Sequence, residues 1–384
     1  MCSLRRTLSL IGFVLLCSLV LSVPVVAQQV VTGTTANGAI FELDVPANWN
    51  GHLWVYAHGV VDPQAPIALP DVTPLKNGLL AQGFAFATSS YSQNGYAVKQ
   101  AAQDIHQLKN LFTAHFGLPV RTYLLGHSLG GGVVQDLAER FPGQYDGALP
   151  ICGLVGGGLA QIQYDGNARV AFDYFFPGTL PGNAVNTPLL NFSPGSPAFK
   201  AVLSALLVGL NPPNFPTLQF ANVARLPGSN PADILTSGLL VAGFSARFTQ
   251  DLLERTHDHN PFDNTATVYR GSFNDAALNA GVGRFSATPD ALQYLEKYYT
   301  PTGELHIPML TLHTTADPIV PFAQEAAYAQ IVANAGASGM LVQQSVNRYG
   351  HCTVNAAETK NALQGLFLWV NFGKKPPSGD VTVP

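Results

Sequence analysis

The chain has 384 residues, 47% hydrophobic and only 11% charged, with 37 Gly and 28 Pro. That is ample for one large core plus an insertion, and too apolar for a disordered chain. A formal charge of −4 with no basic stripe argues against a nucleic-acid partner, and no polybasic patch offers a membrane surface contact.

Arg5 and Arg6 precede an apolar stretch from Leu8 to Val23, and Val25-Val26-Ala27 offers small residues before a cut. This predicts a secretory signal peptide over residues 1–27, cleaved after about Ala27. Its apolar run is short for a membrane span, and no other run approaches that length, so no stable membrane anchor is expected. Loss of Arg5 and Arg6 leaves 17 basic against 23 acidic residues, or −6. Cys2 and Cys17 leave with the leader. In a secreted or periplasmic protein the remaining pair, Cys152 and Cys352, are candidates for one bridge.

In chain order, Val30–Thr34 and Ala39–Val45 flank Ala36-Asn37-Gly38 and predict a β-hairpin. His52–Ala57 reads as a buried strand, a Pro-rich loop over 62–74 leads into a short helix near 75–82, and Phe84–Thr88 is another strand. Ile105, Leu108, Leu111 and Phe112 recur at helical spacing, so 96–116 reads as a helix stopped by Gly117-Leu118-Pro119. A strand over 120–125, a turn, a helix to about Phe141 and a strand over 146–152 follow.

The alternation breaks between 153 and 300, where helical patches near 198–209, 231–243 and 245–255 appear without a strand rhythm. Such a block is too long for a loop and predicts an inserted cap or lid. The rhythm resumes with a strand over 307–313, a helix over 322–335, a strand over 341–346 and a helix over 356–372, then a loose tail over 373–384. The core is therefore expected in 28–152 and 301–384. Its pattern predicts an α/β fold: a mostly parallel sheet with helices on both faces, opened by an antiparallel hairpin.

Inside that core, the apolar run Val120–Leu125 ends in Gly126-His127-Ser128-Leu129-Gly130, followed at once by a helix. The pattern is weak by itself, but a strand before and a helix after are the context that gives it meaning. Small residues at Gly126 and Gly130 let helix and strand approach, and leave the Ser128 hydroxyl at the apex of the turn. A serine needs a base to take its proton and an acid to orient that base. In an open α/β sheet such groups gather at the carboxyl ends of strands. Asp317 follows the strand 307–313 and His351 follows the strand 341–346, giving the chain order Ser, Asp, His. The plain alternative for Asp317 is a turn or helix-start aspartate, with Asp165 and Asp173 as competing acids; for His351 it is a loop histidine. His127 is chained too close to Ser128 to act as its base and is expected to line the pocket. Backbone N–H groups of Leu129 and, past His58-Gly59, of Val60 are candidates for an oxyanion hole.

The segments Tyr56-Ala57-His58-Gly59, Gly126–Gly130, Asp317-Pro318-Ile319-Val320-Pro321 and Gly350-His351 resemble the α/β-hydrolase superfamily. The resemblance covers about 29–152 and 301–373. It implies a capped eight-strand sheet with Ser128 as nucleophile, His351 as base and Asp317 as acid, the cap setting the substrate. Cys352 beside the histidine and Tyr145-Asp146-Gly147-Ala148 are similar to features of tannases and feruloyl esterases. There the histidine's neighbour is disulfide-bonded to a Cys just before the serine. That place is His127 here, so the pattern departs. Cys152, at the end of the adjacent strand, is expected to substitute and form a Cys152–Cys352 bridge.

His257, Asp258, His259 and Asp263 lie close together in sequence but match no strong metal-ligand spacing, so a polar loop is expected. Most aromatics of the insertion, among them Phe172, Phe176, Phe220, Phe244 and Phe248, are expected in its own core, a minority lining an apolar pocket. The sequence thus points to an exported serine hydrolase acting on a small-molecule or polymer ester, with no metal and no cofactor. The alternatives are a peptidase, amidase or acyltransferase of the same fold, or a non-catalytic hydrolase-like binding protein.

Overall fold

A computed structural model describes residues 28–383; the expected signal peptide, with Cys2 and Cys17, lies outside the described residues. One nine-stranded sheet runs through the molecule. Its strands are β1 (Gln29–Thr34), β2 (Ile40–Val45), β3 (His52–Ala57), β4 (Ala85–Ser89), β5 (Arg121–His127), β6 (Gly147–Ile151), β7 (Met309–Ala316), β8 (Leu341–Tyr349) and β9 (Gly379–Asp380). The spatial order is β1-β2-β4-β3-β5-β6-β7-β8-β9. The pairs β1–β2 and β2–β4 are antiparallel, and every later pair is parallel.

Both faces of a parallel sheet are covered, so its strands are apolar throughout rather than alternating. On β3, Leu53, Val55 and Ala57 point into the core beneath α2 (Val98–Phe116) and α3 (Leu129–Arg140). Trp54 and Tyr56 point the other way, into the core beneath α1 (Thr73–Ala81) and α11 (Ala356–Phe372). Helix α10 (Ala323–Asn334) joins the first face through Tyr328 and Val332.

Residues between β6 and β7 add no strand to the sheet. They form α4 (Gly158–Phe175), α5 (Pro197–Val208), α6 (Pro216–Ala224), α7 (Pro231–Arg255), α8 (Asp275–Gly281) and α9 (Pro289–Tyr299). Their own apolar core contains Phe172, Phe176, Phe192 and Phe220.

Three expectations change. The patches at 231–243 and 245–255 are one helix, α7, capped by the Asn230 side chain. The sheet has nine strands rather than eight, because the tail expected to be loose supplies β9. Gln344 and Ser345 pair with Gly379 and Asp380, and Val383 N–H donates to Glu358 Oε1 at 3.0 Å. Finally, β8 extends to Tyr349, only two residues before His351.

Candidate active site

Ser128 sits between β5 and α3 with φ 55° and ψ −122°, a conformation L side chains rarely adopt. Two glycines make that turn sterically possible. A Cβ on Gly126 would lie 2.1 Å from the Gly130 carbonyl oxygen, and one on Gly130 would lie 2.2 Å from that of Ala57. Helix α3 therefore meets the sheet at backbone distance. The Ser128 N–H donates to Ile151 O at 2.9 Å, tying the turn to β6.

The structure brings Ser128, His351 and Asp317 together at the carboxyl edge of the sheet. His351 Nε2 lies 2.8 Å from Ser128 Oγ, and His351 Nδ1 donates to Asp317 Oδ2 at 2.7 Å. The other carboxylate oxygen, Oδ1, accepts from the N–H groups of Ile319 at 2.8 Å and Val320 at 3.0 Å. Asp317 and Ser128 are buried, whereas the His351 side chain is 22% exposed. Burial by itself raises the Asp317 pKa, but hydrogen bonds from His313 and His351 outweigh it and hold the carboxyl below its usual range.

Leu129 N–H is the first unpaired donor of α3, where the helix dipole is positive. The loop carrying Val60 abuts the serine: a Cβ on Gly59 would lie 3.3 Å from Ser128 Cβ. Among the described residues, neither Leu129 N–H nor Val60 N–H donates to the rest of the chain. Sequence reasoning missed what holds this loop. Tyr91 Oη donates to His58 O at 2.7 Å, and its ring stacks on His58 at 3.7 Å between centroids. Burial lowers the His58 pKa, and its Nδ1–H donates to Gly59 O at 2.6 Å.

Also missed were the braces from the helical layer. From α4, Tyr164 Oη donates to Pro318 O and Gln161 Nε2 to Ile319 O, each at 2.8 Å. From α7, Asp233 O accepts from Tyr349 Oη at 2.9 Å, two residues before His351. The loops of both Asp317 and His351 thus lean on residues from the long insertion. Behind Asp317 stands His313, fully buried, with Glu325 of α10 on its far side.

The Cys152–Cys352 disulfide is present, its Cα atoms 5.5 Å apart. His127 does not line a pocket beside Ser128. As the last residue of β5 it points to the opposite face, packs at a tilt of 56° against the Tyr56 ring and borders a groove between α1 and α11. Burial and the neighbouring His351 lower its pKa to about 4. The competing acids are elsewhere. Asp173 accepts from Arg169 at 2.7 Å, and Asp165 is held by Gln161 Nε2 in a cavity of about 50 Å³ lined by Tyr96, Phe244, Phe248 and Phe262.

His257, Asp258, His259 and Asp263 do not converge. His257 and Asp258 are exposed, His259 faces Asp290 at 3.5 Å, and Asp263 accepts from Thr265. Among the described residues, three potential metal ligands meet only at Cys152, His351 and Cys352. There the sulfurs are joined and the imidazole is hydrogen-bonded. No helix among the described residues is long and apolar enough to cross a membrane.

With this geometry in hand, comparison with solved structures decides the fold. Feruloyl esterase B from Aspergillus oryzae superposes with a TM-score of 0.50 at 16% identity, covering 91% of this chain and 81% of that one. A second esterase from Aspergillus oryzae gives 0.52 at 16% identity, over 91% and 80%. The chain has the α/β-hydrolase fold. Within this fold, β5, the Ser128 turn and α3 form a strand–turn–helix element. A family model described as a Tannase-like family of unknown function (DUF6351) matches residues 34–184, the span from β1 through the Ser128 turn and α4. No curated protein matches the sequence.

Proposed function

We propose that this chain is an exported serine hydrolase that cleaves carboxylic esters through an acyl-enzyme. The observation that carries the reading is the continuous contact from Ser128 Oγ to His351 Nε2 at 2.8 Å and from His351 Nδ1 to Asp317 at 2.7 Å. In the first half-reaction Ser128 Oγ attacks the ester carbonyl while His351 Nε2 takes its proton, and Asp317 stabilises the imidazolium. The N–H groups of Leu129 and Val60 hold the oxyanion. Collapse breaks the bond to the alcohol, which leaves with the proton from His351. Water then adds to the acyl-enzyme, giving its proton to His351. Collapse releases the carboxylic acid and returns the proton to Ser128.

Residues 153–300 are read as the cap over the core of 28–152 and 301–384, and as the part that selects the substrate. The braces from Tyr164, Gln161 and Asp233 support this, as does the aromatic cavity around Asp165. That layer carries little charge, which favours a neutral, fairly apolar ester. The leader read in residues 1–27 and the Cys152–Cys352 bridge support a secreted or periplasmic location.

The test is a panel of short-chain, long-chain and aromatic esters, with aminoacyl anilides beside them, run on the wild type and Ser128→Ala. Ester turnover is expected, falling by a factor on the order of 10⁵–10⁶ in the variant. Turnover of anilides alone would move the assignment to a peptidase.

A further inference from the structure

Asp317 is contacted by two histidines, and the mechanism uses only one. His313, on β7 and fully buried, places Nε2 3.4 Å from Asp317 Oδ2 and 3.0 Å from Val320 O. Its Nδ1 lies 3.0 Å from Glu325 Oε1. All three neighbours accept hydrogen bonds, whereas a neutral imidazole carries one N–H and one lone pair. A neutral ring here would aim its lone pair at an acceptor unless Glu325 held the proton. On Glu325, Oε2 accepts from Thr311 Oγ1 at 2.6 Å and from Gln343 Nε2 at 2.7 Å, so Oε1 is the oxygen that faces the ring.

We propose that His313 is a positioning residue of the candidate site: held as an imidazolium between Glu325 and Asp317, it fixes the Asp317 carboxylate and keeps His351 in its basic form. The inference rests on reading Ser128, His351 and Asp317 as a hydrolytic triad. The charged groups that face His313 are Asp317 on its own loop and Glu325 on α10, with His351 beyond Asp317 on the β8–α11 loop. Its partner in register on β8 is the neutral Ser345, and the neutral Gln343 is reached through Glu325. Two carboxylates outweigh the burial of His313 and raise its pKa to about 9. A fixed cation beside Asp317 offsets part of the negative charge that His351 feels. Protonation of His351 is then less favourable, and the base stays available to lower pH.

The sign of the effect follows. His313→Gln removes a positive charge near Asp317, so the His351 imidazolium becomes more stable and the acid limb of kcat/KM moves to higher pH. The expected shift is about one pH unit, with kcat lowered roughly 10- to 100-fold and KM little changed. The companion measurement is a long-range proton–nitrogen NMR spectrum of the full chain. One histidine ring should carry protons on both nitrogens from about pH 6 to pH 8, at a signal absent from His313→Gln. In Glu325→Gln the same ring should lose one proton, a readout that remains if His313→Gln does not fold. A His313 ring with one bare nitrogen at neutral pH overturns the proposal, and so does an acid limb unmoved in His313→Gln. Absence of ester turnover by the wild type, with the doubly protonated ring present, counts against the hydrolase reading instead.

Discussion

Cys352, the residue after His351, is bonded to Cys152 just beyond β6, across 200 residues of sequence. Ser128 N–H bonds to Ile151 O, the residue before Cys152. The Ser128 turn and the His351 loop are thus fastened to the same point of the sheet. Replacing both cysteines by serine should cost about 2–5 kcal/mol of stability and lower kcat more than it raises KM. Thermal unfolding with and without reductant reads the first effect; an unchanged Tm in the variant would contradict it.

The helical layer is pinned to the core at a second place. Asp251 and Arg255 of α7 are a nearly buried pair, 2.8 Å apart. Asp251 also accepts from Tyr96 N–H at 2.5 Å, and Arg255 donates to Asn94 O at 2.6 Å. Asp251→Ala leaves Arg255 buried without its partner, so a loss of about 3–5 kcal/mol is expected. Denaturant unfolding measures it, and a change under about 1 kcal/mol would show that this pair is not what docks α7.

Asp165 gives a prediction with a defined pH window. Burial raises its pKa from 3.8 to about 8. The folded chain therefore holds a proton that the unfolded chain has released, and stability falls as pH rises from about 4 to 8. Asp165→Asn cannot lose that proton. Its Tm should exceed that of the wild type at pH 8, with the gap closing toward pH 4. A gap independent of pH would place the titrating group elsewhere.

The strands of the core and the Ser128 turn were legible because local pattern and tertiary role agree there. β3 is apolar on both faces because both are covered, and Gly126 and Gly130 are required by backbone contact. Where they disagree, the reading failed. Gly243 and Phe244 look like a helix break, yet α7 runs straight through. Gly243 is there for packing, since a Cβ would lie 2.6 Å from the Phe192 ring. β9 is two residues long and carries no periodicity of its own. His127 was misplaced because strand alternation sends it to the face opposite Gly126's helix contact. Tyr91, Gln161, His313 and Glu325 act by converging from distant segments. Glu325 reads locally as an acid in the first turn of a helix, and nothing nearby in sequence marks the histidine it faces.

The central claim is that Ser128 is the group that becomes acylated. The most direct test is to treat the wild type and Ser128→Ala with a fluorophosphonate and locate the adduct by peptide mass spectrometry. Labelling of the wild type at Ser128 alone, abolished in the alanine variant and greatly slowed in His351→Gln, is the predicted result. An undiminished adduct in the alanine variant, or one carried by another residue of the wild type, would contradict it.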